Sequence, residues 1–379
     1  MRLIARDALT GRTVAIAVSA GTATAVDPLG SGPSPAGTPW LAPTFCDVQV
    51  NGALGVNFTD AGLTPSGVRT VADTLRSHGT GLFCPTIITA PFETVRDGLL
   101  TLTRTLEADS ELARRVAGIH LEGPHISPTD GYRGAHPKEH VRPPDWDGFR
   151  RLQDAAGGRI RLVTLAPEWP DSLPFIENLR RSGVVVALGH TAADAVTLAA
   201  AIDAGATFST HLGNGCAATI DRHHNPLWPQ LADDRLTAGV IPDGHHLTDA
   251  ILQCIVKVKS PARLAVTCDA SPLAGLPPGR YAEWGQTFEV RPDGSVRIPG
   301  TPYLAGSGHF TDHCVSQLLA RTQLSLADAV TAASVTPRRL LGRAVPELSA
   351  GAAWADFVLF DWHPGAPLVV RLAAGHNAG

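Results

Sequence analysis

The chain has 379 residues and a mass of 39.7 kDa, with 44% hydrophobic residues, 17% charged residues and a formal net charge of −4. This composition excludes a disordered chain, and the length is sufficient for one large domain or two. The near-neutral pI of about 6.4 argues against nucleic acid or an anionic membrane surface as a partner.

The amino-terminal segment, residues 1–21, alternates like a strand and lacks the continuous apolar stretch of a signal peptide. No apolar run approaches the roughly 18 residues that span a bilayer. The six cysteines form no C-x-x-C pair, which favours buried, reduced thiols over disulfides or a thiolate zinc site. We therefore expect a cytoplasmic protein.

Residues 1–40 read as short strands broken by Gly, Pro and Ser. From about residue 41, short apolar segments that end in polar residues alternate with amphipathic or Ala-rich stretches. Eight such segments follow one another, at 43–50, 81–88, 116–123, 159–168, 184–190, 206–212, 236–244 and 264–270. Among the intervening stretches, 63–79 reads as a helix that stops at Gly79, and 191–205 as one that starts at a Thr191 cap and stops at Gly205.

Eight strand-then-helix units predict an α/β fold with a (β/α)8 barrel over 41–345, in which catalytic groups come from the carboxyl ends of the strands. The alternative, an open doubly wound sheet, lacks a G-x-G-x-x-G sequence after its first strand. Residues 281–300 predict a hairpin around Pro292-Asp293-Gly294, and helices follow near 310–321 and 325–342, the second starting at Ser325. The tail, 354–375, returns to strands, so we expect 1–40 and 346–379 to pair into a small β-sandwich domain.

The predicted strand ends carry residues that bind metals. Glu122 ends the third strand, His190 the fifth and His211 the sixth, and in a closed barrel these ends meet at one mouth. Three protein ligands with an open fourth position describe a catalytic metal site, where the ion activates a water and polarises a carbonyl. Taken singly, each histidine could be structural and the glutamate could cap a turn; their coincidence at strand ends favours the metal site.

Asp269 ends the eighth strand and would face this water across the barrel. A carboxylate there can accept a proton from water and return it to a leaving amine, although an Asx turn at a helix start is the structural alternative. His136 and His246 are candidates for orienting a substrate, with surface loops as the alternative. The pattern does not decide between site and surface for His223, His224, His309 and His313.

Together these residues resemble the N-acetylglucosamine-6-phosphate deacetylases of the amidohydrolase superfamily. The resemblance covers roughly 41–345, and the flanking strands fit the small β-sandwich domain of that family. The motifs that carry it are Asp47-Val48-Gln49-Val50-Asn51-Gly52, His120-Leu121-Glu122-Gly123-Pro124, Gly189-His190-Thr191, Thr210-His211-Leu212, Asp243-Gly244-His245-His246, Asp269-Ala270 and Leu304-Ala305-Gly306-Ser307.

The resemblance implies that Glu122, His190 and His211 hold the metal and that Asp269 is the catalytic acid and base. Where the superfamily often has H-x-H on strand one, this chain has Gln49 and Asn51, and because neutral amides are poor ligands the sequence favours one divalent ion. That ion is expected to be zinc, although the ligand set also accepts iron, cobalt or manganese. The substrate-binding residues implied in the same way are Gln49, Ala135, His136, Asn214, Gly215, Arg222, His246, Leu304, Ala305 and Gly306. In the family the arginine that matches Arg222 reaches across from the neighbouring subunit, which implies a homodimer.

The chain departs from the family pattern at Gly213-Asn214-Gly215-Cys216, over 221–228, and at His125 and His309. These positions cluster on the substrate side of the mouth, so the chemistry is better supported than the substrate. We expect metal-dependent hydrolysis of the N-acetyl group of an amino sugar, N-acetylglucosamine 6-phosphate first among them. The alternatives are an amidohydrolase that acts on a non-phosphorylated amino sugar, an N-acyl amino acid or a cyclic amide, and a non-enzymatic barrel that senses a metal or sugar.

Overall fold

The structure is a computed structural model that describes residues 1–30, 34–283, 285–301 and 303–371. Within these ranges the strands are β1 (Arg2–Asp7), β2 (Thr13–Ser19), β3 (Thr22–Pro28), β4 (Trp40–Pro43), β5 (Phe45–Val50), β6 (Gly52–Ala53), β7 (Val56–Asn57), β8 (Thr80–Ile88), β9 (Ile119–Glu122), β10 (Ile160–Leu165), β11 (Val185–Leu188), β12 (Ala206–Ser209), β13 (Thr237–Val240), β14 (Leu264–Val266), β15 (Gly279–Glu283), β16 (Gln286–Val290), β17 (Ser295–Arg297), β18 (Leu304–Ser307), β19 (Phe357–Asp361) and β20 (Val369–Arg371). The α-helices are α1 (Pro65–Ser77), α2 (Phe92–Ala108), α3 (Ser110–Arg115), α4 (Trp146–Ala155), α5 (Ser172–Arg181), α6 (Ala195–Ala204), α7 (Leu227–Ala232), α8 (Asp249–Lys259), α9 (Thr311–Arg321), α10 (Leu326–Val330) and α11 (Thr336–Leu340).

Eight parallel strands form the barrel, in the order β5, β8, β9, β10, β11, β12, β13 and β14. The two end strands approach each other through a parallel bridge between Val50 and Ala270, and the Asn51 N–H donates to the Ala270 carbonyl over 2.9 Å. Each of the eight predicted segments overlaps one of these strands, so the predicted (β/α)8 architecture is confirmed. Because both faces are covered, the strands are almost continuously buried, as in the FCDVQV run of β5.

Asp47, which is fully buried, stabilises the place where the first and last barrel strands meet, here called the seam. Its carboxylate accepts hydrogen bonds from the Gln49 N–H (3.1 Å), the Cys268 N–H (2.8 Å), the Thr311 hydroxyl (2.8 Å) and the Thr267 hydroxyl. These donors come from β5, from the segment after β14 and from α9. One carboxylate therefore connects three elements at the point where the barrel closes.

Strands from both ends of the chain form a separate six-stranded sheet, in the order β20, β19, β4, β1, β2 and β3. β4 runs parallel to β1 and antiparallel to β19, so it joins the amino-terminal strands to the carboxyl-terminal ones. Ile16, Leu41, Trp354 and Phe357 belong to its own apolar core. The expected pairing of the termini is confirmed, while the last part of the predicted tail, 372–375, lies outside the described residues.

The helix boundaries follow capping chemistry. Ser325 caps the helical stretch from α10 to α11 as predicted, in a reciprocal capping box with Asp328. The expected Thr191 cap of α6 is wrong: Asp194 is the cap and accepts from the Thr197 N–H. The Thr191 hydroxyl instead donates to Glu168 over 2.6 Å, which holds the turn that follows β11.

A four-stranded antiparallel sheet, β15 to β18, is inserted between β14 and α9. The predicted hairpin is present as β16 and β17, joined by a turn in which the Gly294 N–H donates to the Arg291 carbonyl over 2.9 Å. The last strand of this sheet pairs with the segment after β14 through a bridge between Ser307 and Ala270. The insertion thereby brings β18 beside the mouth of the barrel.

No helix in the described ranges combines the length and the hydropathy of a membrane span.

Candidate active site at the barrel mouth

Glu122, His190 and His211 meet at the carboxyl end of the barrel strands. The His211 Nε2 lies 3.1 Å from the Glu122 Oε1, the His190 Nε2 lies 3.4 Å from the same oxygen, and the two Nε2 atoms are 3.1 Å apart. All three residues are buried. Side chains from three separate strand ends therefore direct one ligand atom each toward a common point.

The backbone at this end of the barrel adopts a conformation that L-residues seldom use. His190, His211 and Asp269 have positive φ values of 49°, 31° and 49°. Each residue lies two or three residues beyond the end of a barrel strand, where the left-handed conformation turns the side chain into the mouth. Such strain costs of order 1–3 kcal/mol for each residue and tends to be retained at functional sites.

The His190 ring is held from both sides. Its Nδ1 donates to the Tyr132 carbonyl over 2.9 Å, which fixes a proton on Nδ1 and leaves the Nε2 to face Glu122. A Cβ atom at Gly134 would lie 3.0 Å from the His190 Cε1, and one at Gly215 would lie 2.9 Å from its Nδ1. Two glycines are therefore needed for the loop backbone to approach the ring this closely.

This arrangement fits a divalent cation. Two imidazole nitrogens and a carboxylate oxygen within 3.1–3.4 Å of one another bring their lone pairs together, which is unfavourable unless a proton or cation lies between them. Ligand atoms of Glu122, His136 and His190 also lie within 4.8 Å of one another, so a third histidine borders the same point. The His136 Nε2 is 4.0 Å from the Glu122 Oε2, farther than either of the other two, and the shorter distances favour His211 as the third ligand.

The ionisable side chains at the mouth shift one another's pKa values. Burial by itself would raise the pKa of Glu122, but hydrogen bonds and charge from His190 and His211 hold it well below its usual range. Burial, with the nearby His190, lowers the pKa of His136 to about 3, so this ring is neutral. Burial by itself would lower the pKa of His211, but the hydrogen bond and charge of Glu122 raise it above its usual value. Glu122 is thus ionised, the form in which a carboxylate binds a metal, and a cation would take the place of the proton that His211 shares with it.

The pKa of Asp269 is raised, whereas that of Glu122 is lowered. Burial and the negative charge of Glu122 raise the pKa of Asp269 to about 7, so this carboxyl can take up and release a proton near neutral pH. Its Oδ1 accepts a hydrogen bond from the Asn51 Nδ2 over 2.7 Å. Two carboxyls with separated pKa values, one ionised and one able to exchange protons, lie at the same mouth, a pattern typical of acid–base catalysis.

Comparisons with known proteins agree with this geometry. No family model matches the chain. The N-acetylglucosamine-6-phosphate deacetylase of Bos taurus is 40% identical over 335 residues, which cover 85% of this chain and 79% of the bovine protein. The chain belongs to the N-acetylglucosamine-6-phosphate deacetylase family.

Two further matches bear on the substrate of this deacetylase-family chain. The N-acetylgalactosamine-6-phosphate deacetylase of Escherichia coli O157:H7 is 32% identical, over 86% of this chain and 84% of that protein. A solved structure of a mutant N-acetyl-D-glucosamine-6-phosphate deacetylase from Mycobacterium smegmatis, in complex with N-acetyl-D-glucosamine-6-phosphate, has a TM-score of 0.84 and 33% identity. It covers 95% of each chain.

Several of the predicted substrate-binding residues surround the Glu122, His190 and His211 cluster of this family member. The Gln49 Nε2 donates to the Glu122 Oε1 over 2.9 Å, so the amide faces the carboxylate. The His136 Nδ1 bonds to the Thr89 hydroxyl over 2.9 Å, and its ring packs edge-on against His190. Asn214 and Gly215 line the small cavity beside His190.

The other predicted residues lie farther from the cluster. β18 carries Leu304, Ala305 and Gly306, and a Cβ at Gly306 would lie 3.0 Å from the Asp269 carbonyl oxygen, so this strand packs directly against Asp269. Ala135 precedes His136 in the loop after β9. Arg222 is exposed on the loop before α7, and its guanidinium forms no ion pair within the part of the chain that the structure describes.

The structure also places the histidines that the sequence left open. The His125 ring bonds to the Arg142 carbonyl over 3.1 Å and packs edge-on against Phe175. The rings of His309 and His313 stack with centroids 3.8 Å apart, and the His309 Nε2 donates to the Asp293 carbonyl. These three stabilise packing around the mouth, while His223 and His224 are exposed beside Arg222.

Sequence reasoning missed three contributors. Asn51, two residues beyond Gln49, points its amide at Asp269, and the period of two along a strand could have indicated that both face the interior. Asp243 binds the His246 Nδ1 over 2.8 Å; its spacing in Asp243-Gly244-His245-His246 was visible but not interpreted. The Tyr132 carbonyl could not have been found, because a backbone acceptor leaves no signal in residue type.

Proposed function

We propose that the protein hydrolyses the N-acetyl group of N-acetylglucosamine 6-phosphate to give glucosamine 6-phosphate and acetate. The observation that carries the proposal is the meeting of a Glu/His/His cluster with an acid–base carboxyl at one mouth, in a chain of the deacetylase family. A mutant relative of 33% identity has been solved in complex with this amino-sugar phosphate.

In this proposal Glu122, His190 and His211 hold one divalent ion, zinc in the first instance and iron, cobalt or manganese as alternatives. When bound, such an ion activates water and polarises the amide carbonyl. Gln49 supports the site from the side, because its amide donates to the ligand carboxylate and thereby orients it. The His211 Nε2 and the Glu122 Oε1 are already 3.1 Å apart, so these two ligand atoms need little movement to share an ion.

Asp269 moves the proton. With its pKa raised to about 7 by burial and by Glu122, it accepts a proton from the attacking water and delivers it to the amine nitrogen as the C–N bond breaks. A cation held by the neighbouring ligands would lower this pKa and favour the ionised, proton-accepting form at the start of the cycle. Asn51 keeps the carboxyl directed into the mouth through its hydrogen bond.

The sugar phosphate is bound in this proposal by residues of the surrounding loops and of β18. They are Gln49, Ala135, His136, Asn214, Gly215, His246, Leu304, Ala305 and Gly306, together with Arg222 of a second subunit. Arg222 is exposed and forms no ion pair with any residue that the structure describes, and its carbonyl accepts from the Trp228 Nε1 over 2.9 Å. Trp228, at the start of α7, is 53% exposed, and such an apolar side chain beside a cation fits a homodimer contact.

We further propose a division into a terminal domain, 1–40 with 346–379, and a barrel domain, 41–345, and a cytoplasmic location. Separate apolar cores in the terminal sheet and in the barrel support the division. All six cysteines are free, as expected in a reducing compartment.

N-acetylgalactosamine 6-phosphate is a second candidate substrate, because one relative of 32% identity carries that name. The two sugars differ only in the configuration of one hydroxyl, and the loop that departs from the family pattern, 213–216, lines the cavity at the mouth. The lower identity to that relative places this substrate second.

Acetate release from purified, metal-loaded protein tests the proposal. The panel contains N-acetylglucosamine 6-phosphate, N-acetylgalactosamine 6-phosphate, unphosphorylated N-acetylglucosamine and an N-acetyl amino acid. We expect the highest kcat/KM with the first compound. Equal rates with the unphosphorylated sugar would remove the phosphate from the proposal, and tight binding without acetate release would favour a sensor.

A further inference from the structure

Asp243, which follows β13, is almost fully buried, and its two carboxylate oxygens have different partners. The Oδ1 accepts from the backbone N–H groups of His245 (2.9 Å) and His246 (3.0 Å), and so closes a turn. The Oδ2 accepts from the His246 Nδ1 over 2.8 Å and from the Ser307 hydroxyl over 3.0 Å. One oxygen therefore forms the loop, while the other binds two side chains of the mouth.

Each of these side chains leads to the reacting groups. The Ser307 N–H donates to the Asp269 carbonyl over 2.8 Å, so Asp243 and Asp269 are connected through one serine of β18. His246 lies near enough to Asp269 to lower the pKa of that carboxyl, against the larger effects of burial and Glu122. Because the His246 Nδ1 is bound to Asp243, its Nε2 is the ring nitrogen left for a substrate.

The hydrogen-bonded pair of Asp243 and His246 keeps the Asp243 carboxylate ionised. Burial alone would raise the pKa of Asp243, but the hydrogen bonds and charge of His246 hold it well below its usual range. The His313 Nε2 donates to the Asp243 backbone carbonyl over 3.1 Å, which fixes the residue from a further element, α9. Asp243 is thus an ionised acceptor in one fixed place, and its hydrogen bond sets the proton position and the orientation of His246.

We propose that Asp243 is a positioning residue for substrate binding: through its Oδ2 it orients His246 and joins that ring to Ser307 on the strand that supports Asp269. This inference rests on the proposed function, in which His246 contacts the substrate. It assigns Asp243 a role beyond closing the turn, because the turn requires only the Oδ1.

The Asp243→Asn variant distinguishes the role of the Oδ2 from the role of the Oδ1. An asparagine can keep an oxygen at the turn and presents an NH2 group in place of the Oδ2, so it faces the His246 Nδ1 with a donor and forces the other tautomer. We expect KM for the sugar phosphate to rise about 10- to 100-fold, with kcat within about threefold of wild type and metal content unchanged.

A double-mutant cycle with His246→Gln decides whether Asp243→Asn acts on substrate binding through the His246 ring. We expect the double variant to lose no more kcat/KM than His246→Gln alone, because Asp243 has then no ring to orient. Losses that multiply, or a fall in kcat with KM unchanged, would overturn the inference. If Asp243→Asn does not fold, Ser307→Ala replaces it in the same cycle, with an expected loss of a few-fold in wild type and none in His246→Gln.

Wild-type acetate release separates this inference from the proposed function. If the wild type releases no acetate, the proposed function fails. If it is active and the cycle is additive, only the role of Asp243 fails.

Discussion

Two buried polar clusters of the barrel, one around Asp47 at the seam and one at the mouth, differ in how completely their atoms are hydrogen-bonded. Asp47 at the seam accepts four hydrogen bonds from protein donors. Around the mouth, four buried side-chain atoms have no hydrogen-bond partner within the described residues, namely the Gln49 Oε1, the Asn51 Oδ1, the His211 Nδ1 and the Asn214 Nδ2. A buried polar atom without a partner costs about 1–3 kcal/mol, so the mouth retains a cost that the seam avoids.

The difference separates a stabilising network from a binding one. The seam is complete without any ligand, and substitutions there should act on stability. The mouth has donors and acceptors that no described residue pairs with, and substitutions there should act on metal binding and turnover. The following predictions test this division, from the largest expected effect to the smallest.

Asp269→Asn removes the only proposed proton carrier at the mouth. Since the amide cannot take a proton from water, we expect turnover to fall by about 10³-fold or more. The near-isosteric side chain leaves metal content and thermal unfolding near wild type. Acetate-release kinetics with parallel metal analysis check this, and retained activity would remove Asp269 from the mechanism.

Asp47→Asn breaks the seam. Asparagine provides one acceptor oxygen where the carboxylate has two, so buried donors lose their partner and we expect the free energy of unfolding to fall by about 2–4 kcal/mol. Chemical denaturation measures this. The exposed Asp27→Asn is the matched control, with an expected change below about 0.5 kcal/mol, and equal effects of the two variants would contradict the role of the seam.

Gly215→Ala pushes on the two proposed ligand rings. Its Cβ would lie 2.9 Å from the His190 Nδ1 and 3.1 Å from the His211 Cε1, so both rings must shift. We expect metal affinity to fall about 10-fold to 100-fold. Gly342→Ala is the control for backbone strain, because its φ of +63° is close to the +60° of Gly215 and nothing lies within 4 Å of the added carbon. Unchanged metal affinity in Gly215→Ala would show that the rings are not tightly held.

His125 links stability to pH. Burial lowers its pKa to about 4, whereas an unfolded chain binds this proton near pH 6.5. The unfolded state therefore binds more protons as pH falls, and His125 contributes a loss of stability between about pH 6.5 and 4 with no change above that window. His125→Asn should make the slope shallower by about 1 kcal/mol per pH unit in denaturation of the metal-free protein, while the exposed His363→Asn should not. A wild-type slope in His125→Asn would contradict this.

The barrel could be predicted from sequence because strand segments that end in polar residues recur along the chain, and each apolar run overlaps an observed strand. The meeting of Glu122, His190 and His211 followed from the same topology, since strand ends converge in any closed barrel. The Thr191 cap was wrong because Glu168, distant in sequence, competes for that hydroxyl. The hydrogen bond from Ser307 to Asp243 and the one from His190 to the Tyr132 carbonyl were beyond reach for a related reason: these contacts are set by tertiary packing and not by local pattern.

The account depends most on Glu122, His190 and His211 binding one divalent ion together. Metal analysis of purified protein, after loading and removal of excess ion, tests this directly. The account predicts about one ion per chain in the wild type and in Asp269→Asn, and almost none in His211→Ala. Full occupancy in His211→Ala, or two ions per wild-type chain, would contradict it.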